Sequence, residues 1–259
     1  MNEFMYDINS ALIALALLAT MVVAVEAGYR LGLRRHANAD AKAHINTIQA
    51  SILGVLALLL GFTFQLSMQR YDTRGDAVVD EANAIGTAWL RTDIIPAALQ
   101  QDTKALFRSY VAIRVRAGEV SIADRAALDA LATEATRAQN ALWVQAKKAL
   151  EAEPNAATSG LFVQAVNDMF DQQAKRDATL IRHVPELVLL LLYVTFLMAG
   201  SIIGLSAGVA GHRPSFASYV LVMLIVVLVF IILDLDRPRR GLILVDHGPL
   251  TSLQQSMGK

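Results

Sequence analysis

Four long apolar stretches dominate the distribution of hydrophobic and polar residues along the chain. They cover roughly residues 11–29, 45–68, 187–211 and 216–233. Because a helix rises about 1.5 Å per residue, about 20 mainly apolar residues are enough to cross the hydrocarbon layer of a bilayer. The first stretch follows an acidic flank, with Glu3 and Asp7, and lacks the cleavage site of a signal peptide. The pattern therefore predicts four transmembrane helices, of which the first is retained.

The region between the second and third stretches is polar to mixed and has a helical pattern. Apolar residues recur at three- and four-residue spacing in ALDALATEATRAQNALWVQAKKAL, residues 127–150. Breaks fall at Pro96, around Gly118 and at residues 154–160, and strand-like alternation flanked by hairpin turns is missing. This pattern predicts a domain of three or four antiparallel helices.

The second stretch has no proline to end its helix before the polar domain begins. Residues 45–95 contain none, so the second span is expected to continue out of the membrane as a stalk of roughly 75 Å. We therefore predict an all-α integral membrane protein with the helical domain inserted between the second and third spans. Its predicted parts are residues 1–69 with spans one and two, 70–184 as the helical extramembrane domain, 185–236 with spans three and four, and 237–259 as a short polar tail.

Composition supports a membrane protein and excludes several kinds of site. The chain is 55% hydrophobic and 18% charged, whereas soluble domains carry about a quarter of charged residues. Its formal net charge is zero, and no basic run is interleaved with aromatic residues, so no nucleic-acid partner is expected. Cysteine is absent and the five histidines are scattered, so we expect no metal site and no cofactor. With no nucleophile–base pair or nucleotide-binding loop, the sequence does not predict an enzyme.

Span three carries three glycines at four-residue intervals in GSIIGLSAG. They are Gly200, Gly204 and Gly208, and this spacing aligns three bare patches on one helix face. The pattern predicts close packing against another helix, within one subunit or between subunits. A pore lined by exposed backbone is the alternative.

Span two contains aromatic and polar residues in the segment GFTFQLSMQRYDTR. The candidates for a pore constriction are Phe62, Thr63, Phe64 and Gln65. A pair of phenylalanines can gate a pore by dewetting it. The same residues can equally be core or interface aromatics, and the sequence leaves both interpretations open.

Charged residues follow directly after span two. Asp72 and Asp76 lie four residues apart, where like charges on a helix repel, and Arg70 and Arg74 interleave with them on another face. In an oligomer these residues would form a charged ring at the mouth of a pore. The alternative is a solvated face with local Asp–Arg pairs.

Glu26 is the acidic residue inside a predicted span, which makes it a functional candidate. Arg30 lies four residues later, in the order that favours a helical ion pair. A paired carboxylate near the membrane interface and a proton or ion relay are both open.

Span four ends in the charged segment IILDLDRPRRG, residues 231–241. Proline at position 238 disfavours helix at the residue before it, so the two carboxylates fall in the last turn, where the helix dipole disfavours them. We predict that Asp234 or Asp236 pairs with Arg70 or Arg74, since both groups lie on the same membrane face. The cluster also includes Arg237, Arg239 and Arg240.

Three blocks follow one another along the chain: LALLLGFTFQLSMQRYDTR at residues 56–74, DEANAIGTAWLRTDIIP at 80–96, and LDLDRPRRGLI at 233–243. They resemble signature blocks of the bacterial bestrophin-like membrane proteins. The resemblance implies kinship with bestrophins, which are oligomeric, anion-selective channels with four transmembrane helices per subunit and a cytosolic helical domain. The charge counts of this chain leave the side of that domain open. It has no acidic run resembling the bestrophin calcium clasp, so calcium gating is not implied.

The leading hypothesis is an oligomeric, anion-conducting channel whose second span lines the pore, with Arg70 and Arg74 concentrating anions at its mouth. The alternative is a non-conducting membrane scaffold or sensor whose helical domain binds a partner. A secondary transporter is less favoured because the two pairs of spans show no evident repeat. Expected partners are the lipid bilayer, further copies of the chain and inorganic anions. The expected location is the bacterial inner (cytoplasmic) membrane, as a multi-pass protein.

Overall fold

The computed structural model describes residues 9–34, 39–120, 124–181, 184–237 and 242–258. Within these residues the regular structure is helical, with no strand. The α-helices are α1 Ser10–Leu33, α2 Ala39–Leu90, α3 Ala97–Glu119, α4 Arg125–Ala152, α5 Leu161–Ile181, α6 Glu186–Ala210, α7 Phe216–Asp236 and α8 Gly248–Met257. A 3-10 turn, Arg91–Ile94, follows α2, and a π-helical turn, Ala156–Gly160, precedes α5.

Four of these helices, α1, α2, α6 and α7, are long and apolar enough to cross a membrane, by length and composition. They agree with the four spans that the sequence predicts. α2 is the longest element and runs for 52 residues without interruption. At 1.5 Å per residue this corresponds to about 78 Å.

The chain divides into two compact units by its internal contacts. The first unit comprises residues 1–69 and 183–237, and the second comprises residues 70–182 and 238–259. The boundary between the units therefore falls inside α2, between Gln69 and Arg70.

The core of the first unit is formed by one stripe from each candidate span. On α1 the buried residues Leu17, Met21 and Val25 recur every four positions, as expected for one face of a helix. They pack with buried residues such as Phe196 of α6 and Ile232 of α7. The remaining faces of these helices leave large apolar side chains exposed, which is typical of helices that contact lipid.

The core of the second unit is rich in aromatic residues. Phe107 of α3 lies edge-on to Trp89 of α2, with ring centroids 6.3 Å apart, and to Phe162 of α5, at 6.4 Å. Tyr110 of α3 and Leu142 of α4 are buried in the same cluster. The helices of the polar region therefore build a hydrophobic core of their own.

The carboxyl-terminal segment is more structured than the polar tail that the sequence suggests. It forms α8, which begins with Pro249 in its first turn, a favoured position for proline. Leu250 and Met257 of α8 are buried in the core of the second unit, and Leu253 packs against it. Ten residues give too short a pattern for this apolar stripe to stand out in the sequence.

The turn between α6 and α7 depends on Gly211, which has a φ of +84°. L-residues with a side chain rarely adopt this left-handed conformation. The amide of His212 donates a hydrogen bond back to the carbonyl of Ala207 at 3.2 Å, which closes the end of α6. α7 then begins at Phe216.

Candidate functional site

α2 has one packed face and one outward face along most of its length. The packed face includes Leu56, Leu60, Thr63, Ser67, Arg74, Val78, Glu81 and Ile85, all buried. The outward face includes the exposed residues Gly54, Leu58, Gly61, Gln65, Asp72, Asp76 and Asn83.

The four candidates for a pore constriction do not share this outward face. Phe62 is 61% exposed, and Gln65 is exposed as well. Thr63 is buried, and its Oγ1 donates to the carbonyl of Leu59 at 2.7 Å. Phe64 is partly buried and packs against the core of the first unit. Only Phe62 and Gln65 of the four are therefore available to line a pathway outside the chain.

Two glycines on the outward face have no packing reason within the chain. A Cβ atom added at Gly54 or Gly61 would meet no heavy atom within 4 Å in the described residues. Glycine in the middle of a helix costs roughly 0.5–1 kcal/mol relative to alanine. Packing within a single copy of the chain therefore does not explain why these two positions lack a side chain.

The charged residues after span two separate onto different faces of α2. Asp72 and Asp76 are exposed on the outward face, and Arg70 is partly buried. Arg74 is only 2% exposed, and its Nε donates to the carbonyl of Thr179 at 3.4 Å. Arg74 therefore lies on a different face of α2 from Asp72 and Asp76, as a period of 3.6 residues requires. Its position at a pore mouth stays a prediction.

The second unit contains a buried ion-pair cluster that the sequence pattern did not predict. Glu81 of α2 is 0% exposed and pairs with two arginines, Arg114 of α3 at 2.5 Å and Arg176 of α5. Arg114 also contacts Asp177 at 3.0 Å. Burial alone would lower the pKa of Arg114, but the nearby carboxylates of Glu81 and Asp177 raise the pKa above its usual value. The sequence contained one signal of this cluster, which is that Glu81 occupies a position on the packed face of α2 where most residues are apolar.

Tyr110 extends this cluster towards α4 and α5. Its hydroxyl donates to Oε1 of Gln173, which also accepts from Nε2 of Gln139 at 2.6 Å. Burial raises the pKa of Tyr110, so the hydroxyl stays protonated and can donate. The polar groups of the second unit's interior thus link α2, α3, α4 and α5.

The glycines of span three pack within the chain, against α1. A Cβ atom at Gly204 would overlap the carbonyl oxygen of Val25, and one at Gly208 would overlap that of Tyr29. The contact is reciprocal, because a Cβ at Gly32 of α1 would lie 2.6 Å from the carbonyl oxygen of Leu205. Gly28 of α1 packs in the same way. The segment GYRLG of α1 has the same small-residue spacing and could have predicted this seam.

The acid inside the first span is paired with its neighbour on the helix. Oε1 of Glu26 accepts a hydrogen bond from Nε of Arg30 at 2.7 Å. The Arg30 side chain is exposed and that of Glu26 is partly exposed, so the pair resembles an interfacial helical ion pair more than a buried relay.

The charged end of α7 is buried. Asp234, Asp236 and Arg237 are each at most 5% exposed, and Oδ2 of Asp236 accepts from the amide of Val184 at 2.9 Å. Arg239 and Arg240 lie outside the described residues. The pairing of Asp234 or Asp236 with an arginine at the start of the second unit stays a prediction.

Metal coordination finds no support in the described part of the chain, which contains no group of three or more acidic, histidine or cysteine side chains suited to an ion.

Comparison with known proteins decides the family. The family model of the bestrophin-like domain matches residues 12–250, which is most of the chain. The chain belongs to the bestrophin-like family. This confirms the resemblance of the three sequence blocks.

Among solved structures, the bestrophin-like chain is similar to a bacterial bestrophin homolog from Klebsiella pneumoniae. The two share 14% identity with a TM-score of 0.65, and the match covers 95% of this chain and 97% of that one. At this identity the likeness shows the fold alone. No curated protein matches the chain.

Proposed function

We propose that this bestrophin-like chain is one subunit of an oligomeric ion channel, and that the outward face of α2 lines its pore. The observation that carries the proposal is the exposed face of α2 within the span, where Gly54 and Gly61 are exposed and unexplained by packing. Membership of the bestrophin-like family supports a channel kind of protein.

Rotational symmetry would turn single residues of α2 into rings. In a closed homo-oligomer the same helix of each subunit surrounds the axis, so each exposed residue is repeated around it. Leu58 and Phe62 would then form an apolar constriction that gates by dewetting, and Gln65 a polar ring beyond it. Gly54 and Gly61 would let neighbouring helices or permeating ions approach the backbone closely.

The charge of the outward face bears on the sign of the carried ion. The anion preference expected from the sequence came from the resemblance to bestrophins and from Arg70 and Arg74, of which Arg74 lies on the packed face. Asp72 and Asp76 lie on the outward face instead. Rings of aspartate attract cations and repel anions, so we propose that the pathway favours cations over anions.

The test is ion flux through the full-length protein reconstituted in liposomes. A gradient of potassium chloride distinguishes cation from anion permeation by the sign of the reversal potential. We expect measurable conductance with a reversal potential near that of potassium. A reversal potential near that of chloride would reject the cation preference and restore the anion hypothesis. The absence of flux in every gradient would reject the channel and favour the scaffold or sensor.

A further inference from the structure

The first unit contains a polar cavity at one end of its candidate spans. Its volume is about 260 Å³, close to the lower end of the ~300–1,000 Å³ range of small-molecule sites. Its polar lining comes from Lys42, Asn46 and Gln49 of α2, Ser206 of α6, and His212 and Ser215 of the turn that follows.

Local geometry brings these side chains together. Positions 42, 46 and 49 are four and three residues apart, so they share one face of α2. Oγ of Ser206 donates to Oδ1 of Asn46 at 2.8 Å, which ties α6 to this face. The left-handed conformation of Gly211 turns the chain back after α6 and places His212 and Ser215 on the cavity. The cavity is thus built by three segments rather than by one helix end.

The position of the cavity in the fold matches a membrane boundary. The turn between α6 and α7 joins two helices long and apolar enough to span, so this end of both helices lies where hydrocarbon meets water. Apolar side chains for contact with acyl chains are exposed on the same helices, including Ile48 of α2 and Val220 of α7.

The charged residue that lines the cavity is the basic Lys42. Arg213 lies in the turn between His212 and Ser215, and its guanidinium is 5.9 Å from the ring centre of Tyr29 of α1. Asp40 lies two residues before Lys42 on the same helix. Basic residues near a membrane surface attract anionic lipid headgroups by about 1 kcal/mol each.

We propose that this cavity binds a phosphate group, supplied by the headgroup of an anionic phospholipid. The ammonium of Lys42 neutralises the phosphate, and the hydroxyl of Ser215 and the amide of Gln49 donate hydrogen bonds to its oxygens. Ile45, Ile203 and Ala207 supply the apolar part of the lining. The site requires only that the spans sit in a membrane, so it does not depend on ion conduction.

Native mass spectrometry of the full-length protein in detergent tests the proposal. The probes are dioleoylphosphatidylglycerol, phosphate-free dioleoylglycerol and inorganic phosphate. We expect the wild-type protein to retain phosphatidylglycerol in preference to dioleoylglycerol. Lys42→Gln is expected to weaken phosphatidylglycerol binding about fivefold, as the loss of one basic contact implies.

Two further variants distinguish lipid binding in this cavity from lipid attraction by the general surface charge of the protein. Lys148→Gln removes an exposed lysine of α4 and is expected to leave lipid binding unchanged. Ala210→Trp fills the cavity without removing charge, and Ala210 is exposed, so the helix tolerates the larger side chain. It is expected to weaken binding as Lys42→Gln does.

The outcomes distinguish the source of the phosphate. Thermal stabilisation by inorganic phosphate that Lys42→Gln abolishes, without a preference for phosphatidylglycerol, would confirm a phosphate site that takes the free ion. Equal retention of both lipids with no stabilisation by phosphate would overturn the proposal. Equal losses in Lys42→Gln and Lys148→Gln would also overturn it.

Discussion

Glu81 shows how one side chain can hold the second unit together. Its carboxylate is fully buried and contacts the guanidinium groups of Arg114 and Arg176, which belong to two other helices. A charge in this position is tolerated only because both its oxygens are paired. Losing it would leave two buried arginines facing each other with less counter-charge.

We therefore predict that Glu81→Gln lowers the free energy of unfolding by about 3–5 kcal/mol, because it breaks a buried ion pair by removing one partner. Denaturant unfolding of the full-length protein in detergent measures the change. The matched control is Asp93→Asn, which removes the carboxylate of a partly exposed pair with Lys104. Exposed pairs contribute little, so the control is expected to stay near wild type. Similar losses in both variants would contradict the structural role of Glu81.

At the scale of elements, the glycines of the chain fall into two classes. Gly204 lies in the seam between α1 and α6, where the backbones are too close for any side chain. Across this seam the hydroxyl of Tyr193 donates to Oγ1 of Thr20 at 2.9 Å. Gly61 of α2 lies instead on the outward face, with open space around it.

Gly204→Ala and Gly61→Ala therefore make a matched pair of variants. We expect Gly204→Ala to lower stability by about 1–3 kcal/mol, because the new Cβ overlaps the carbonyl of Val25 and forces the helices apart. Gly61→Ala is expected to leave the fold of a single chain intact and to reduce conductance. Thermal unfolding in detergent and flux in liposomes measure the two effects. A Gly204→Ala variant as stable as wild type would show that the backbones of α1 and α6 leave room for a side chain at this position.

The elements differ in how far the sequence could predict them. The four spans could be predicted from length and hydropathy alone, because soluble domains rarely contain apolar runs of about 20 residues. The outward face of α2 did not follow, since Thr63 and Gln65 are both polar and only packing shows that they lie on opposite faces. Glu81 was missed because its partners are 33 and 95 residues away along the chain. Contacts between distant segments leave no local pattern to read.

At the scale of the whole molecule, we expect the aspartates on the outward face of α2 to make cation selectivity depend on salt concentration. Asp72→Asn together with Asp76→Asn removes the carboxylates of the outward face, so the preference for cations is expected to fall. The difference from wild type should be larger at about 0.1 M salt than at about 1 M, because the Debye length shrinks from about 10 Å to about 3 Å. Reversal potentials in the two salts measure it. Asp129→Asn, an exposed acid of α4, is the control and should change neither value.

A whole-molecule test of the pore itself uses the absence of cysteine from the chain. Single cysteines at Leu58, Gly61 and Gln65 place a thiol on the outward face of α2, and those at Leu56 and Leu60 place it on the packed face. If the outward face lines the pore, a cationic thiol reagent should reduce conductance in the first three variants and spare the other two. The wild-type protein should not respond, since it offers no thiol. Block at the packed positions, or at none of the five in a conducting channel, would mean that another surface of the chain forms the pathway.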